Sequence, residues 1–450
     1  MQAIEKCGHS ASTLPETMVR LDIDVEGFPS FDVTHPSSDT KRLRYSASPL
    51  LDEIPIGYNI PDATYSDESF LWIQQQLVNC DSTHATCATS TPNPLPNRIL
   101  DVGTSGADAT IRVRTTNREP ARYICLSHCW GPDQPPLRTL TGNLADHERC
   151  VPEEALPKTF REAVALTRKL GIRYLWIDSL IYAGAYLTVA AAHARMSLQG
   201  LYSAREPQYE ETPLDVSVLP GAGDAVEEAR GYRGTIYARH AIRHIGRHTH
   251  PYDIRRGQRN TPLPLLSRAW VLQERFLSRR VLFFTGQELA WECIQRMGCQ
   301  CRGHSESIAP SNNGENGGNA TSSISVFKRL AAMGLTSAIH DRATATRAWS
   351  SIVRDYTALY LTFEKDVFPA LSGIARQMSH LTGSRYVAGL WEDSLLSGLC
   401  WHVDGRSSRP SEMLLEPRPS VWRAPTWSWA AIKSPVVFVG ARVDSYVPGR

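Results

Sequence analysis

The sequence lacks a long apolar run and has almost no net charge. No apolar stretch approaches the roughly 20 residues that a membrane-spanning helix needs, and residues 1–7 contain no apolar core of the signal-peptide kind. The 48 Lys and Arg residues nearly balance the 46 Asp and Glu residues, which leaves a formal charge of +2. No overall field therefore favours nucleic acid or an anionic membrane. We expect a cytoplasmic protein with no membrane span and no nucleic-acid partner.

Two catalytic motifs and a disulfide framework are also missing. The glycine-rich turn at residues 103–108 does not have the G-x-x-x-x-G-K-S/T pattern of a phosphate loop. The G-x-S-x-G elbow of serine hydrolases is absent as well. The ten cysteines are scattered through 450 residues, a pattern typical of reduced thiols inside a cell.

The clearest local pattern is a strand–helix–strand unit. Residues 123–127 and 174–178 are short apolar runs of the kind found in buried parallel strands. Between them, Thr159 and Glu162 predict a capping box, and helical spacing follows as far as Gly171, which can supply a left-handed cap. The unit predicts an open α/β sheet with polar groups at the carboxyl ends of its strands.

Those polar groups include Ser127, His128 and Asp178, which invite comparison with a hydrolytic triad. Neighbouring residues of a strand point to opposite faces, so Ser127 and His128 cannot form a nucleophile–base pair without a bulge. A nucleophilic Cys125 or Cys129 would lack a placed base for the same reason. We therefore expect no triad here.

The same segments resemble the fungal heterokaryon incompatibility (HET) domain. The resemblance rests on Tyr-Ile-Cys-Leu-Ser-His-Cys-Trp-Gly at 123–131, Leu-Pro-Lys-Thr-Phe at 156–160 and Leu-Trp-Ile-Asp-Ser-Leu at 175–180. Later blocks at 185–191, 200–205, 267–280 and 424–430 follow in the same order, and the similarity extends over most of the chain from about Phe70. The motif residues, which we expect to be structural, are Ser127, Trp130, Gly131, Trp176, Asp178, Gly200, Arg205, Arg268, Trp270, Gln273, Glu274, Trp427 and Trp429.

The resemblance implies a fold and a function. It implies an α/β fold with an open, mostly parallel sheet, TIR-like by analogy, followed by an α+β, tryptophan-rich C-terminal part. It implies an intracellular protein of self/non-self recognition or signalling, related to factors that trigger programmed cell death. Its partners would be other incompatibility proteins or further copies of itself, and no cofactor would be needed.

The sequence departs from the family after Leu180. HET domains usually continue into a Cys-Ile-x-Gln segment and a helix carrying Asp-Trp and a Glu, whereas here Leu180 runs directly into Ile181. A helix-sized piece is missing, so we expect a chain with reduced cell-death output. The alternative function is a TIR-like enzyme that cleaves NAD as its substrate. The catalytic glutamate of such an enzyme would have been in the missing helix, so the catalytic residue of this chain is unknown. Glu274 is a weak substitute candidate, for which we favour a helix-surface or capping role.

The chain divides into five regions on these patterns. Residues 1–65 read as an irregular N-terminal arm, 66–121 as a lead-in helix and strands, and 122–303 as the HET-like α/β domain. Residues 304–323 are a Ser/Asn/Gly-rich flexible linker, and 324–450 form the C-terminal α+β region. Residues 281–284 and 289–293 predict a hairpin, and Trp130, Trp176, Trp270 and Trp427 are expected in the core.

One cluster of metal-ligand residues lies before the α/β domain. Cys80, His84 and Cys87 follow the lead-in helix at spacings that occur in zinc sites. A fourth ligand is not evident nearby, and a packed helix end explains the same residues. We therefore expect no metal.

Overall fold

The computed structural model describes the chain in segments: residues 31–35, 57–88, 91–104, 110–131, 137–177, 184–218, 232–240, 242, 263–302, 328, 342–404, 418–419 and 421–439. The linker predicted at 304–323 lies outside these residues, as does most of the N-terminal arm. Within that arm the structure describes two strands, β1 Phe31–His35 and β2 Gly57–Tyr58.

The described helices include three within the HET-like region, one before it and three after it. They are α1 Asp67–Thr83, α2 Leu144–Arg149, α3 Lys158–Lys169, α4 Ala269–Leu277, α5 Arg342–Thr357, α6 Ser372–Thr382 and α7 Leu395–Gly398. α1 begins as a capped helix should, because the Ser66 hydroxyl accepts the backbone N–H of Ser69 and two acids follow in the first turn. It is the lead-in helix that the sequence predicts within residues 66–121.

The remaining strands build one large sheet and three small ones. They are β3 Arg98–Asp101, β4 Arg112–Thr115, β5 Tyr123–Ser127, β6 Tyr174–Ile177, β7 Leu187–Ala190, β8 Thr212–Val218, β9 Tyr232–His240, β10 Arg280–Phe284, β11 Leu289–Cys293, β12 Met297–Cys299, β13 Tyr386–Val387, β14 Leu390–Trp391, β15 Trp401–Val403 and β16 Val436–Phe438. The eight-stranded sheet has the order β12-β11-β10-β7-β5-β6-β3-β4. β2-β1-β9-β8 form a four-stranded sheet, and β13-β14 and β15-β16 form pairs.

The large sheet has a parallel centre. β10, β7, β5 and β6 run parallel to one another. On one side β3 is antiparallel to both β6 and β4, and on the other side β11 is antiparallel to both β10 and β12. All five residues of β5 are buried, as expected for a strand covered on both faces. The α/β class is confirmed, and the predicted hairpin is present as β10 and β11.

β6 has the interior position that the sequence predicts. It pairs with β5 on one side and β3 on the other, and α3 leads into it through Gly171, whose φ is +70°. The left-handed cap at Gly171 is thus confirmed. Asp178 follows directly after β6 and lies outside the described residues, as does Leu180, where the sequence is expected to depart from the family.

The predicted capping box is wrong. α3 begins at Lys158, one residue before Thr159, and its N-cap is Pro157 without a side-chain cap bond. The Thr159 hydroxyl accepts the N–H of Gly200 at 3.1 Å, and the Glu162 carboxylate accepts the N–H groups of Leu201 and Tyr202. Both side chains therefore bind a distant loop instead of their own helix end.

The two faces of β5 contact different helices. Ile124 and Leu126 share a core with Phe160 of α3 and with α1, on one face of the sheet. Tyr123 and Cys125 share a second core with Trp176, and Leu277 of α4 packs against it from the other face. The alternation follows from the two-residue period of a strand.

α4 also belongs to the C-terminal core. Its Ala269, Leu272 and Phe276 pack with α5, α6 and the segment around Trp429, while its Val271 packs with β10. One short helix therefore connects the sheet to the C-terminal part, because its apolar residues surround the helix on all sides.

The expected tryptophan core is partly wrong. Trp130, Trp176 and Trp270 are only half-buried, and Trp427 is 40% exposed. The deeply buried indoles are those of Trp291, Trp349, Trp391 and Trp429. Trp427 lies in a turn, where its backbone carbonyl accepts the indole N–H of Trp401 while its own ring faces outward.

Candidate functional site

A buried hydroxyl–carboxylate pair lies at the carboxyl end of β5. Ser127 is the last residue of the strand, and its Oγ donates a hydrogen bond to Oε2 of Glu274 on α4. Ser127 is 2% and Glu274 7% exposed, so the helix-surface part of the helix-surface or capping role expected for Glu274 is wrong. Burial, followed by the charge of Glu274, raises the pKa of Cys125, which keeps that cysteine a thiol.

His128 faces away from this pair. Its ring packs edge-on against Phe160 of α3 at 4.9 Å and against Trp130 at 5.1 Å, and its Nε2 has no hydrogen-bond partner among the described residues. Burial, then the nearby Arg268, lowers the pKa of His128 to about 3, so the ring is neutral at physiological pH. Ser127 and His128 thus point to opposite faces, as the sequence predicts, and do not form a catalytic pair.

Arg268 holds the chain that leaves β5. It is the residue before α4, and its guanidinium donates to the backbone carbonyl of His128 at 3.3 Å and bonds the Cys129 thiol. Burial raises the pKa of Cys129, against the opposing effect of Arg268. The next glycine of the motif, Gly131, has a φ of +86°, so the turn after the strand uses a left-handed conformation.

Two further motif residues connect α4 to the C-terminal helices. The Gln273 side-chain oxygen accepts the N–H of Gly373 at 2.5 Å, and Gln273 is buried. The Trp270 indole N–H donates to Asp366 at 3.1 Å. Gly373 is in the first turn of α6, which has no side-chain cap of its own, so Gln273 satisfies an N–H that the helix leaves free.

The remaining motif residues fix loops. Gly200 has a φ of +102°, and a Cβ there would approach the Glu162 carboxylate and the Lys158 amine to 2.7 Å. Arg205 donates to the carbonyl of Ile60 at 2.6 Å and pairs with Asp62 at 2.7 Å.

Trp429 has a similar anchoring role. It is 1% exposed, and its indole N–H donates to the carbonyl of Gly389 at 2.9 Å. Each motif residue that the structure describes, apart from the exposed Trp427 ring, thus contacts other parts of the same chain.

The Cys80, His84 and Cys87 cluster gains a partner that sequence reasoning missed. Cys293, the last residue of β11, lies with its Sγ 3.4 Å from Nδ1 of His84, which is 209 residues away in sequence. All four side chains are buried, and their ligand atoms lie within 4.8 Å of one another. The sequence signal was a C-x3-H-x2-C pattern with further cysteines later in the chain. That pattern does not indicate which of the later cysteines lies next to it in the folded protein.

A second group consists of Glu288, Cys299 and Cys301. The two sulfurs are 3.3 Å apart, and Oε2 of Glu288 accepts the N–H of Cys301 at 2.9 Å. The Glu288 carboxylate is therefore already hydrogen-bonded to the backbone. Among the cysteines that the structure describes, none forms a disulfide.

Comparison with known proteins gives one match. The model of the family described as heterokaryon incompatibility protein (HET) matches residues 123–180. This matched stretch, the HET segment, is thus similar to that family. The HET segment contains β5, α3 and β6, so the match falls on the parallel centre of the sheet and includes Ser127, His128 and Trp176. No curated protein and no solved structure matches the chain.

The HET segment supports a function of the heterokaryon incompatibility type. Among the helices of the described segments, none has the length and apolar character to cross a lipid bilayer.

Proposed function

We propose that this protein acts in fungal self/non-self recognition and signals toward programmed cell death through protein contacts, with other incompatibility proteins or further copies of itself as partners. The observation that carries the proposal is the HET segment at residues 123–180. The matching family is named for heterokaryon incompatibility, which is a recognition process between cells. A cytoplasmic location follows from this role.

The geometry of the motif residues supports contacts over catalysis. Ser127 is paired with Glu274, Gln273 caps α6, and the ring of His128 is neutral and enclosed by aromatic side chains. A catalytic group must reach its substrate, whereas Ser127 and Gln273 are used to join the sheet to α4 and α4 to the C-terminal helices, and His128 packs against α3. The motif thus maintains a scaffold, and recognition falls to the surface that it supports.

The cell-death output of this chain is reduced because of the missing helix. A helix that follows a parallel strand covers one face of the sheet, and its loss leaves apolar side chains without cover. The proposal therefore predicts a difference between the chain as it stands and a version that carries the family's Cys-Ile-x-Gln segment and helix between Leu180 and Ile181.

Inducible expression in a filamentous fungus tests the proposal. Both versions would be expressed at equal levels, and cell death would be scored by uptake of a vital dye. We expect strong death from the restored version and weak death from the chain as it stands. Equal viability of both strains and of an empty-vector strain, with soluble protein in each, would contradict the cell-death role.

The alternative function is NAD cleavage of the TIR type, for which Glu274 is the remaining candidate. The Glu274 carboxylate is 7% exposed and accepts the Ser127 hydroxyl, an arrangement that favours a structural role. We expect no NAD turnover by the purified full chain in an assay that separates nicotinamide from NAD. Turnover abolished by Glu274→Gln and retained in a matched surface variant, Glu206→Gln, would establish the enzyme instead.

A further inference from the structure

Three thiols and one imidazole converge where α1 meets the β11 hairpin. Cys80 and His84 are one helical turn apart at the end of α1, Cys87 follows in the next turn, and Cys293 ends β11. Their exposed fractions are 1%, 8%, 1% and 0%. Two elements far apart in sequence thus contribute potential ligands to one closed site, which distinguishes this cluster from a single packed helix end.

The geometry of the cluster suits a tetrahedral ion. Bonds of about 2.3 Å from zinc to sulfur and about 2.0–2.1 Å to nitrogen give tetrahedron edges of about 3.8 Å between sulfurs and about 3.6 Å between sulfur and nitrogen. The contact between Sγ of Cys293 and Nδ1 of His84 is 3.4 Å, and all four ligand atoms lie within 4.8 Å of one another. Small side-chain rotations would therefore complete the coordination.

The surroundings of the cluster stabilise negative charge on sulfur. Nε of Arg280 donates to Sγ of Cys80 at 3.3 Å, and the same guanidinium also bonds the backbone carbonyl of Cys87. The backbone N–H of Ile294 bonds the Cys87 sulfur. Partners of this kind hold thiolate ligands in place around structural metal ions.

Three thiolates buried this close together would repel one another, and a divalent ion between them would offset that repulsion. Three thiolates, a neutral imidazole and a divalent ion carry one net negative charge, and the guanidinium of Arg280, which also pairs with Asp81, lies beside it.

We propose that Cys80, His84, Cys87 and Cys293 bind one structural zinc ion. Three sulfurs and one nitrogen in a tetrahedral arrangement select zinc among the common divalent ions. Four protein ligands leave no position open for water or substrate, so the ion is structural and not catalytic. It joins the end of α1 and the turn after it to the end of β11 in the large sheet, and it reverses the expectation, drawn from the sequence, that the chain binds no metal.

Metal analysis of the full chain tests the assignment. The protein would be produced in zinc-supplemented medium, dialysed against metal-free buffer and measured by inductively coupled plasma mass spectrometry. We expect about one zinc per chain in the wild type, and less than about one tenth of that in Cys87→Ser and in Cys293→Ser. Cys150→Ser, which changes an exposed cysteine, should keep the zinc, as should Cys301→Ser in the second cysteine group.

Position 84 gives a test that does not depend on loss of folding. His84→Cys keeps four ligands and should retain zinc, whereas His84→Asn removes one ligand and should lose it. A packed helix end without metal would give the same zinc content, near zero, for both. Cobalt exchanged into the wild type should show the visible bands of tetrahedral coordination and near-ultraviolet thiolate charge transfer.

Three results would overturn the proposal. They are a wild-type protein without zinc after growth in zinc, stoichiometric iron in place of zinc, and zinc that persists in Cys87→Ser but is lost in Cys301→Ser. The last result would place the ion in the group formed by Glu288, Cys299 and Cys301.

Discussion

At the scale of single residues, His128 has an environment very different from water. The ring contacts Phe160 and Trp130, and the positive charge of Arg268 lies nearby. Burial and this charge both disfavour the imidazolium, and they lower the pKa of His128 to about 3, from a value of about 6.5 in an unfolded chain.

The lowered pKa of His128 predicts a loss of stability in mild acid. Above the unfolded pKa the ring is neutral in both states; below it, only the unfolded chain binds the proton until the folded pKa is reached. His128 should therefore remove about 2 kcal/mol from the free energy of unfolding between pH 7.5 and pH 5. Denaturant unfolding at both pH values would measure this for the wild type and for His128→Phe, which cannot bind a proton. An equal pH dependence in the two proteins would show that the ring is protonated in the folded state.

Two neighbouring tryptophans of the closing motif should differ in importance. Trp429 is 1% exposed and bonded to Gly389, whereas the ring of Trp427 is 40% exposed. Trp429→Ala leaves a cavity in the C-terminal core and should cost about 3–5 kcal/mol, against about 1 kcal/mol for Trp427→Ala. Thermal unfolding of both variants gives the comparison, and similar costs would mean that the Trp427 side chain is covered in solution.

At the scale of elements, α3 is held by the loop at residues 200–202. The Thr159 and Glu162 side chains accept three successive backbone N–H groups of that loop. Hydrogen bonds to a charged acceptor are stronger than those between neutral groups, so Glu162 is the principal contact. Gly200 permits it by its left-handed backbone and by the absence of a side chain.

Gly171, after α3, and Gly200, in the loop that α3 binds, allow the cost of backbone strain to be measured apart from the cost of a steric clash. Gly171 and Gly200 both have positive φ, but a Cβ would meet nothing within 4 Å at Gly171 and two polar atoms at 2.7 Å at Gly200. Gly171→Ala should cost about 1 kcal/mol from strain alone, and Gly200→Ala at least about 2 kcal/mol. Chemical denaturation measures both, and a smaller cost at Gly200 would show that the loop moves away from α3 freely.

At the scale of the whole molecule, α4 connects the two cores. It contacts β5 through Glu274, and it contributes Leu272 and Phe276 to the C-terminal core. On its far side Gln273 supplies the acceptor for the first turn of α6. Perturbation of the C-terminal part should therefore reach the sheet through this helix.

Gln273→Leu tests this connection. It preserves the approximate shape of the side chain but leaves the N–H of Gly373 without its acceptor, which should cost about 1–3 kcal/mol. Hydrogen exchange followed by mass spectrometry should show faster exchange in α4 and in the first turn of α6, with α3 unchanged. Gln208→Leu, at an exposed position, is the control and should change none of these regions. Unchanged exchange at Gly373 in Gln273→Leu would exclude the proposed cap.

The sequence predicted elements better than it predicted the partners of individual side chains. The β10–β11 hairpin, β6 and the helix that leads into it were predicted because each is defined by the periodicity of a few consecutive residues. Thr159 and Glu162 fitted a local capping box, yet both bind the loop at Gly200. Glu274 fitted a helix surface, yet it meets Ser127 inside the protein. In both cases a local pattern was compatible with two partners, and the chain folded toward the distant one.

Local patterns of apolar residues and glycine predicted β5, β6, the helix between them, the β10–β11 hairpin, the α/β class and the HET resemblance, because backbone preference and burial act over a few residues. Tertiary structure alone decided which groups meet across the fold. Only the folded chain brings Cys293 to His84 over 209 residues and places α4 between two cores. The physical reason is that such contacts depend on how sheet order and helix packing close long loops, and no short stretch of sequence encodes that closure.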